Sequence, residues 1–255
     1  MPKSFNIDLP TNWWHKHLSE TDSTMLQLRR AEYAHSNYEF VLITTDYQTA
    51  GRGQRGTSWE ADSAQNLLFG FLFHPRRVPV THQFALSEAL ALSVSSALEE
   101  YITDVSVKWP NDIYWKDKKI CGMLLEHDVC GIQIENTLTG VGLNVNQEAF
   151  KSDAPNPVSL KQILGHGICR KELLMHVLKY FEHFYNQVLQ EDYDVLHQLY
   201  MQHLYCAEGW HTFADENGEF KAMIERISSM GILRLKREDG HSRDYAFKQV
   251  KLIKR

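Results

Sequence analysis

The sequence predicts an α+β fold built in two parts. Three observations support this prediction: apolar runs of strand length, amphipathic segments of helix length, and a change to short strand-like segments near the C-terminus. A length of 255 residues fits one large domain with a small companion. We therefore expect a larger domain at residues 1–205 and a smaller one at residues 206–255.

Several segments of the larger domain have strand patterns. Residues 40–43 and 66–73 are apolar runs typical of buried strands. Alternation before Lys108 predicts a strand that ends there, and a proline then turns the chain into a hairpin over residues 111–126. Residues 140–146 alternate small or amide side chains with apolar ones, which predicts a strand with one face open to a ligand. A twist or bulge is the structural alternative for the glycines of this strand.

Other segments have helix patterns. They cover residues 83–101, a short stretch near Leu160, a long stretch from Arg170, and residues 192–204. Upstream, the hydroxyl residues at positions 21–24 precede an apolar stretch and predict a helix N-terminus capped by hydroxyl groups.

After Cys206 the chain consists of short strand-like segments. Turn signals separate them at residues 217–218, 230–231 and 239–240. Roughly fifty residues of this kind predict a small β-barrel that would be marginally stable alone.

Composition and charge argue against several classes of protein. The net charge of -5 argues against a surface that wraps nucleic acid. No segment approaches the roughly 18 consecutive apolar residues of a membrane span, and the N-terminus has no apolar signal core. The four cysteines form no CxxC pair, as is usual for reduced thiols. We therefore expect a cytoplasmic protein with no DNA or membrane partner.

A glycine-rich loop at residues 45–59 follows the first apolar run. Three glycines within residues 51–56 let the backbone approach a ligand closely. Arg52 and Arg55 add two permanent cations to the same loop. The combination suits a small anionic ligand.

This loop has three alternative interpretations. Its GxGxxG spacing matches a dinucleotide-binding fingerprint, but the polar residues that follow do not open a helix. A phosphate-cradling loop would carry lysine at the position of Thr57. A mobile surface loop with solvated arginines stays open from this segment alone.

Further motifs follow in a fixed order. They are DST at residues 22–24, KWPND at 108–112, KICG at 119–122 and GVGLNVN at 140–146. Together with the GRG of the loop they resemble the biotin–protein ligases, and the resemblance covers about residues 15 to 255. Each motif alone is weak, but the complete set in one order is highly specific.

The resemblance implies a fold, an activity and partners. The fold would be a mixed sheet flanked by helices, like the core of class II aminoacyl-tRNA synthetases, followed by an SH3-like β-barrel. As a biotin–[acetyl-CoA-carboxylase] ligase, the enzyme would form biotinyl-5′-AMP and pyrophosphate from biotin and ATP with Mg²⁺. It would then transfer biotin to a lysine of the apo biotin carboxyl carrier domain of a carboxylase. Since about twenty residues precede the first motif, we expect the short form without a DNA-binding domain, and a homodimer is compatible with the family.

The resemblance also assigns site residues. The expected catalytic residues are Arg52, Lys108, Asp112 and Lys119. The expected biotin contacts are Ser23, Thr24, Gln48, Gly51, Arg52, Gly53, Gln54, Lys119, Gly122, Gly140 and Gly142. The expected nucleotide contacts are Arg55, Trp59, Asn111, Lys119 and Asn144, and Asp112 is the expected contact of Mg²⁺ carried by the substrate phosphates.

Elementary electrostatics explains why such a site needs cations. The biotin carboxylate must approach a phosphate of ATP, and two like charges about 4 Å apart repel by about 4 kcal/mol at an effective dielectric constant near 20. Arg52, Lys108, Lys119 and Mg²⁺ would offset this repulsion and stabilise the charge that builds up on the phosphate. No protein nucleophile is needed, because the carboxylate of biotin is the nucleophile.

Two positions depart from the family pattern. The family often has arginine where Gln54 stands, and Thr57 replaces another frequent basic residue, so the hold on the anionic intermediate should be weaker. Two other functions stay open. One is a lipoate ligase on the related fold, against which the GRGQRG and KWPND motifs stand. The other is a non-catalytic biotin sensor.

Overall fold

The computed structural model describes residues 5–31, 35, 37–53, 58–151 and 156–254. The elements within these ranges are β1 (Trp13–Leu18), α1 (Thr24–Ala31), β2 (Phe40–Thr45), β3 (Leu67–Phe73), α2 (Phe84–Glu99), β4 (Val105–Lys108), β5 (Asp112–Trp115), β6 (Lys118–Cys130), β7 (Gln133–Leu143), α3 (Leu160–Leu164), α4 (Arg170–Leu189), α5 (Tyr193–Gln202), β8 (His211–Asp215), β9 (Gly218–Ile227), β10 (Leu233–Arg237), β11 (Ser242–Tyr245) and β12 (Lys251–Ile253). No helix in the described ranges is long and apolar enough to cross a membrane.

Strands β1 to β7 form one seven-stranded sheet in the order β1-β2-β3-β7-β6-β5-β4. Strand β1 is parallel to β2, while the other neighbouring pairs are antiparallel. The predicted α+β fold with a mixed sheet flanked by helices is therefore confirmed.

The central strands are continuous apolar runs because both faces of the sheet are covered. Every residue of β2 and β3 is buried. On one face, Met25 and Leu28 of α1 pack against Val41 and Ile43 of β2. On the other face, helices α2 and α4 cover the sheet, and Phe181 of α4 lies 4.6 Å from Phe71 between ring centroids. Burial on two faces is the environment that favours unbroken hydrophobic strands over alternating ones.

Strand β1 is absent from the sequence-based prediction. Its sequence WWHKHL carries three polar residues and gives no apolar run. The strand forms because Trp13 stacks on Phe40 at 4.3 Å and donates a hydrogen bond from its indole to Glu182. His15 and His17 both hydrogen-bond the hydroxyl of Thr44 at 2.9 Å, which satisfies polar groups inside the sheet layer.

Strand β7 ends earlier than predicted. The predicted strand over residues 140–146 stops at Leu143. The backbone N–H of Val145 donates to the side-chain oxygen of Asn66 at 3.0 Å, so a side chain replaces the strand ladder there. The side chain of Asn146 forms hydrogen bonds with the backbone of Ile168 and does not continue the open face.

Helix α1 begins at the predicted place but with another cap. The backbone N–H of Thr24 donates to Oε1 of Gln48 at 2.8 Å, and the carboxylate of Asp22 accepts from the N–H of Ser23 at 2.7 Å. The prediction that hydroxyl groups cap this helix is therefore wrong for these two N–H groups. Amide and carboxylate oxygens perform the same role of accepting from exposed helix N–H groups.

Strands β8 to β12 form a second, antiparallel sheet in the order β11-β10-β9-β8-β12. The three predicted turns are present, and Gly218, Gly231 and Gly240 all have positive φ there. Within residues 206–254 no ladder joins β11 to β12, so the closed barrel is not confirmed.

The C-terminal sheet packs directly on the larger sheet. The indole of Trp109 donates to the carbonyl of Gly231 at 3.0 Å. A Cβ on Gly231 would lie 2.6 Å from the ring of Phe84, so glycine permits this close approach as well as the turn. The contact places the turn between β9 and β10 beside the KWPND segment.

Candidate active site

A cavity of about 220 Å³ lies on the face of the large sheet that α1 covers. The glycine-rich loop and strands β6 and β7 complete its walls. The predicted site residues that line it are Ser23, Thr24, Gln48, Arg52, Gly53, Trp59, Asn111, Asp112, Lys119, Gly122, Gly140 and Gly142. The fold therefore brings together residues that are separated by more than one hundred positions in the chain.

Glycines of β6 and β7 form one wall of the cavity. Gly122 and Gly142 are paired across the two strands, and Gly140 follows on the same face. A Cβ on Gly140 would lie 3.0 Å from Cγ of Met25, and a Cβ on Gly142 would lie 2.3 Å from Cε2 of Trp59. Glycine is required here because other groups approach the backbone closely.

The indole of Trp59 lies against this glycine wall. Its Cζ3 atom is 2.8 Å from the position of a Cβ on Gly122, and Nζ of Lys119 is 5.6 Å from the ring centroid. The indole N–H is buried and has no hydrogen-bond partner among the described residues. Since an unpaired buried N–H costs free energy, a ligand that displaces the ring or offers an acceptor would be favoured.

Uncharged polar groups form the end of the cavity nearest α1. Ser23 and Thr24 are buried, with 1% and 3% of their surface exposed. Oε1 of Gln48 accepts from both the N–H and the hydroxyl of Thr24, at 2.8 and 3.2 Å. These bonds fix the carboxamide so that its amino group is directed away from Thr24. Hydroxyl and amide groups supply both donors and acceptors, which suits a neutral polar ligand.

Charged groups form the opposite end. Nζ of Lys119 lies 2.7 Å from Oδ1 of Asp112, and less than a third of either side chain is exposed. Arg52 is exposed at the rim, where a short bridge pairs it with Ser58 across the loop. Partial burial of Lys119 strengthens its interaction with an anion, because the surroundings screen less than bulk water.

Asn111 has a structural role beside its place in the cavity wall. It is 4% exposed, and its side-chain amide donates to the carbonyl of Met123. The backbone of Asn111 accepts from the N–H of Met123 at 3.1 Å. These bonds tie the start of β5 to β6 and so set the position of Asp112. Nucleotide contact by Asn111 stays a prediction.

Some predicted residues do not line this cavity. The backbone of Gly51 packs beneath Trp59, where a Cβ would lie 2.6 Å from the Trp59 carbonyl oxygen. The side-chain oxygen of Asn144 is buried without a partner in the described ranges. Lys108 lines a neighbouring cavity instead. Gln54 and Arg55, with the departure at Thr57, lie outside the described residues, so their predicted contacts stay predictions.

The environment of Lys108 differs from that of an exposed lysine. Its ammonium group donates to the hydroxyl of Tyr114 at 3.0 Å. Burial lowers the pKa of Lys108, and the nearby Asp112 carboxylate opposes that shift. Burial also raises the pKa of Tyr114 to about 12, so the hydroxyl stays protonated.

Several lining residues were not predicted. Met25, Met123 and Leu124 add apolar surface, and Phe247 and Lys248 reach the cavity from the C-terminal sheet. The alternation of β6 could have indicated Leu124 beside Gly122, two positions away on the same face. No sequence pattern indicates Phe247 or Lys248, because their place depends on how the two sheets pack.

The residues present fit a metal ion that arrives with a ligand and not a preformed metal cage. Among the described residues, no group of three or more His, Cys, Asp or Glu side chains is arranged to hold a metal. Asp112 is the carboxylate that lines the cavity. One carboxylate together with substrate phosphates and water is a common ligand set for Mg²⁺.

The fold and this cavity define a ligase site of a known family. The family model described as the biotin/lipoate A/B protein ligase family matches residues 18–144. This match covers α1, the glycine-rich loop and the strands that carry the cavity. The chain belongs to this family.

Individual relatives agree with the family match. The bifunctional ligase/repressor BirA of Bacillus subtilis is 27% identical over 240 residues, which are 91% of this chain and 71% of that protein. A biotin--[acetyl-CoA-carboxylase] ligase of Mycobacterium tuberculosis is 29% identical over 169 residues, which are 65% of this chain and 61% of that protein. The structure of the biotin protein ligase of Aquifex aeolicus in complex with biotin and ATP is similar, with a TM-score of 0.77, 26% identity, and coverage of 94% of this chain and 99% of that one. The resemblance to biotin–protein ligases is thus confirmed.

Proposed function

We propose that the protein is an ATP-dependent biotin–protein ligase that modifies the carrier domain of a carboxylase. In the first step the biotin carboxylate attacks the α-phosphate of ATP, forming biotinyl-5′-AMP and releasing pyrophosphate. In the second step the ε-amine of an acceptor lysine attacks the carbonyl carbon of this mixed anhydride, and AMP leaves. The acceptor is a biotin carboxyl carrier domain.

The observation that supports this proposal is the division of one cavity into two chemically different ends. Ser23, Thr24 and Gln48 offer neutral donors and acceptors at one end, while Lys119 and Asp112 offer charge at the other. The glycine wall lies between these two ends, and an extended ligand along it would take the place of the Trp59 indole. A neutral ureido ring and a carboxylate on one molecule, meeting a phosphate, match this arrangement.

Each charged residue has a distinct proposed role. Lys119 would neutralise the carboxylate and the phosphate as they approach, which offsets the repulsion between two anions. Arg52 at the rim would hold the phosphate of the intermediate and help to exclude water from it. Both roles require only that the cations lie at fixed positions when charge develops.

Asp112 would hold Mg²⁺ that enters with ATP, while the same ion contacts the phosphates. When bound, the ion neutralises phosphate charge. The carboxylate of Asp112 is paired with Lys119 in this structure at 2.7 Å. Lys119 can turn to the substrate anion when Asp112 turns to the cation.

The proposal extends to the finer features that the family implies. We assign the larger sheet and its helices, residues 1–205, to a class II synthetase-like catalytic domain and residues 206–255 to an SH3-like domain. We also propose a cytoplasmic location, which agrees with four cysteines that form no CxxC pair.

Biotin-dependent exchange of labelled pyrophosphate into ATP tests the proposal. The reaction should contain Mg²⁺ and no acceptor protein, so that it reports only the first step. We expect rapid exchange with biotin and none with lipoate. Exchange with lipoate alone would identify a lipoate ligase. Tight biotin binding without exchange would identify a non-catalytic sensor.

A further inference from the structure

The glycine-rich loop is part of a longer connection between β2 and β3. The chain leaves β2 and returns along its antiparallel neighbour β3. This β2–β3 connection, residues 46–66, carries Gln48, Arg52 and Trp59 to the cavity. Where these three side chains lie therefore depends on how the two ends of the connection are held.

Arg170 of α4 contacts both ends of this connection. Its Nη2 donates to Oδ1 of Asp46 at 2.8 Å, and its Nη1 donates to the carbonyl of Asn66 at 3.0 Å. The side chains of Arg170 and Asp46 are 16% and 22% exposed. The ring of Phe5 covers the guanidinium, with 5.4 Å between Cζ and the ring centroid. A guanidinium suits this place because its planar fork presents N–H groups to two acceptors at once.

Asp46 is the junction at which the connection begins. Its backbone N–H donates to the carbonyl of Leu18 at 3.1 Å, and its carbonyl accepts from the N–H of Ala64 at 2.9 Å. Its second carboxylate oxygen lies 3.4 Å from Nε2 of His17. Asp46 thus joins β1, the returning part of the connection and α4. A displacement of Asp46 would shift the chain two residues before Gln48.

Asn66 ends the connection and is fully buried. Its side chain accepts from the N–H of Val145 at 3.0 Å and donates to the side-chain oxygen of Gln147 at 2.6 Å. The N–H of Asp62 donates to the same oxygen of Gln147 at 2.9 Å. These bonds fix the returning chain to the segment after β7. Asn66 is therefore a fixed anchor, and the guanidinium ties the start of the connection to it.

Loss of this guanidinium would deprive two polar groups of their partner in a largely buried place. These groups are the carbonyl of Asn66 and the carboxylate of Asp46. A buried acceptor or charge that loses its partner costs more free energy than the bond itself contributes, so the two ends would shift to reach water. Arg170 does not itself line the cavity, so the connection would transmit the effect. A misplacement of about 1 Å, even from a change far from the chemistry, can cost about 10²-fold.

We propose that Arg170 is a positioning residue that holds the β2–β3 connection in place and thereby sets how long the site retains biotinyl-AMP. The inference rests on the proposed function, because biotinyl-AMP is the intermediate of that reaction. Asp112 and Lys119 lie on β5 and β6, outside the connection, so Arg170 should influence binding more than the chemical step. The alternative is an ion pair that only stabilises the fold, and the test separates the two.

The variant Arg170→Gln tests the inference, because it removes the cation and keeps a polar side chain. We expect preformed biotinyl-AMP to dissociate about tenfold faster and the KM for biotin to rise about tenfold, as for loss of one hydrogen bond to a charged group. The rate of pyrophosphate exchange at saturating biotin should stay unchanged. Asp46→Ala should have the same effects, and the double variant should be no worse than either single one, because both changes break one link. Arg170→Lys, which keeps the charge without the fork, should recover part of the retention.

Amide hydrogen exchange of the full chain without ligand gives a second measurement that does not depend on activity. The N–H of Trp59 donates to the carbonyl of Gly51 at 3.0 Å within the connection. This N–H should exchange about tenfold faster in Arg170→Gln, while the amides of α4 and of the C-terminal sheet keep their rates. The matched control is Arg237→Gln, since Arg237 pairs with Asp215 of the C-terminal sheet, also at 2.8 Å. The control should change neither the exchange of Trp59 nor the dissociation of biotinyl-AMP.

The possible results separate the inference from the proposed function. Unchanged biotinyl-AMP dissociation, biotin KM and amide exchange in Arg170→Gln, with normal pyrophosphate exchange by the unaltered chain, would overturn the inference and leave the proposed function intact. Faster amide exchange throughout the chain, or equally fast dissociation in Arg237→Gln, would assign Arg170 a general role in stability and also overturn it. If the unaltered chain shows no biotin-dependent pyrophosphate exchange, the proposed function itself is wrong and the inference falls with it.

Discussion

Nζ of Lys119 in β6 lies 2.7 Å from Oδ1 of Asp112 in the neighbouring strand β5. This ion pair neutralises a cation and a carboxylate that both line the cavity. In the proposed reaction Lys119 would gain the substrate anion as a partner and Asp112 would gain Mg²⁺. Neither charge would then be left unpaired in the partly buried site.

Lys119→Ala should nearly abolish formation of biotinyl-AMP. The variant removes the cation that pairs with Asp112 and that we propose neutralises the phosphate, and loss of one such group typically costs about 10²- to 10³-fold in rate. Pyrophosphate exchange measures the effect. Lys118→Ala, which changes the exposed neighbouring lysine, should retain full exchange. An unchanged adenylate yield in Lys119→Ala would remove this role from Lys119.

Arg52→Ala should let biotinyl-AMP escape from the site. Arg52 lies at the exposed rim, so its loss should affect retention of the intermediate more than its formation. We expect the dissociation rate of preformed biotinyl-AMP to rise about tenfold or more, as for loss of one charge-assisted hydrogen bond. Rapid dilution into excess unlabelled ligand measures that rate. Arg76→Ala, an exposed arginine away from the cavity, is the control, and equal rates in both variants would contradict the prediction.

Gly140→Ala should weaken biotin binding without unfolding the protein. The new methyl group would meet Cγ and Sδ of Met25 at 3.0 and 3.1 Å, and this unbranched side chain can shift to accommodate it. Gly70→Ala makes a useful contrast, because its methyl group would lie 2.4 Å from the backbone oxygen of Thr139. We expect Gly140→Ala to raise the Kd for biotin with little change in Tm, and Gly70→Ala to lower Tm by several degrees, as for overpacking that costs about 1–3 kcal/mol. Calorimetry and thermal unfolding of both variants distinguish a ligand wall from a purely structural glycine.

Trp59→Phe should remove most of the change in tryptophan fluorescence on ligand binding. The indole lies against Gly122 and Gly142, in the space that a ligand on the glycine wall would need. Its surroundings must therefore change when the cavity fills. Trp210→Phe, which removes a tryptophan that is 47% exposed in the C-terminal region, should leave the change intact. Titrating both variants with biotin and then ATP measures this, and an equal response would show that Trp59 keeps its place.

The strands that could be predicted from sequence are those that a local pattern of residues determines. Strands β2 and β3 were predicted because an unbroken apolar run needs only burial on both faces. Strand β1 was missed because its stability comes from distant partners, such as Glu182 for the indole of Trp13. The early end of β7 was missed for the same reason, since Asn66 takes the N–H of Val145 from another strand's start.

In the candidate site too, residues within local motifs were predicted, and residues placed by long-range packing were missed. Motif residues such as Lys119 and Gly142 were found because their chemistry is visible in the sequence and they meet in one cavity. Lys108 was grouped with them, but it lines the adjoining cavity, which meets the first one at Asp112, its partner in the β4–β5 ladder. Phe247 and Lys248 reach the site only through the packing of the C-terminal sheet, which no local pattern encodes.

The protein should lose stability as pH falls from about 6.5 toward 4, and His127 should account for part of that loss. Burial lowers the pKa of His127 to about 4, against the opposing effect of Asp128, which itself pairs with Arg29. In this pH window the unfolded chain binds a proton at His127 and the folded chain does not, so the free energy of unfolding falls as pH falls, by at most about 1.4 kcal/mol per pH unit from this group. His127→Gln should therefore give a shallower decline of Tm between pH 6.5 and 4.5. His241→Gln, whose side chain is 86% exposed in the parent protein, should follow the parent curve, and parallel declines in all three proteins would contradict the prediction.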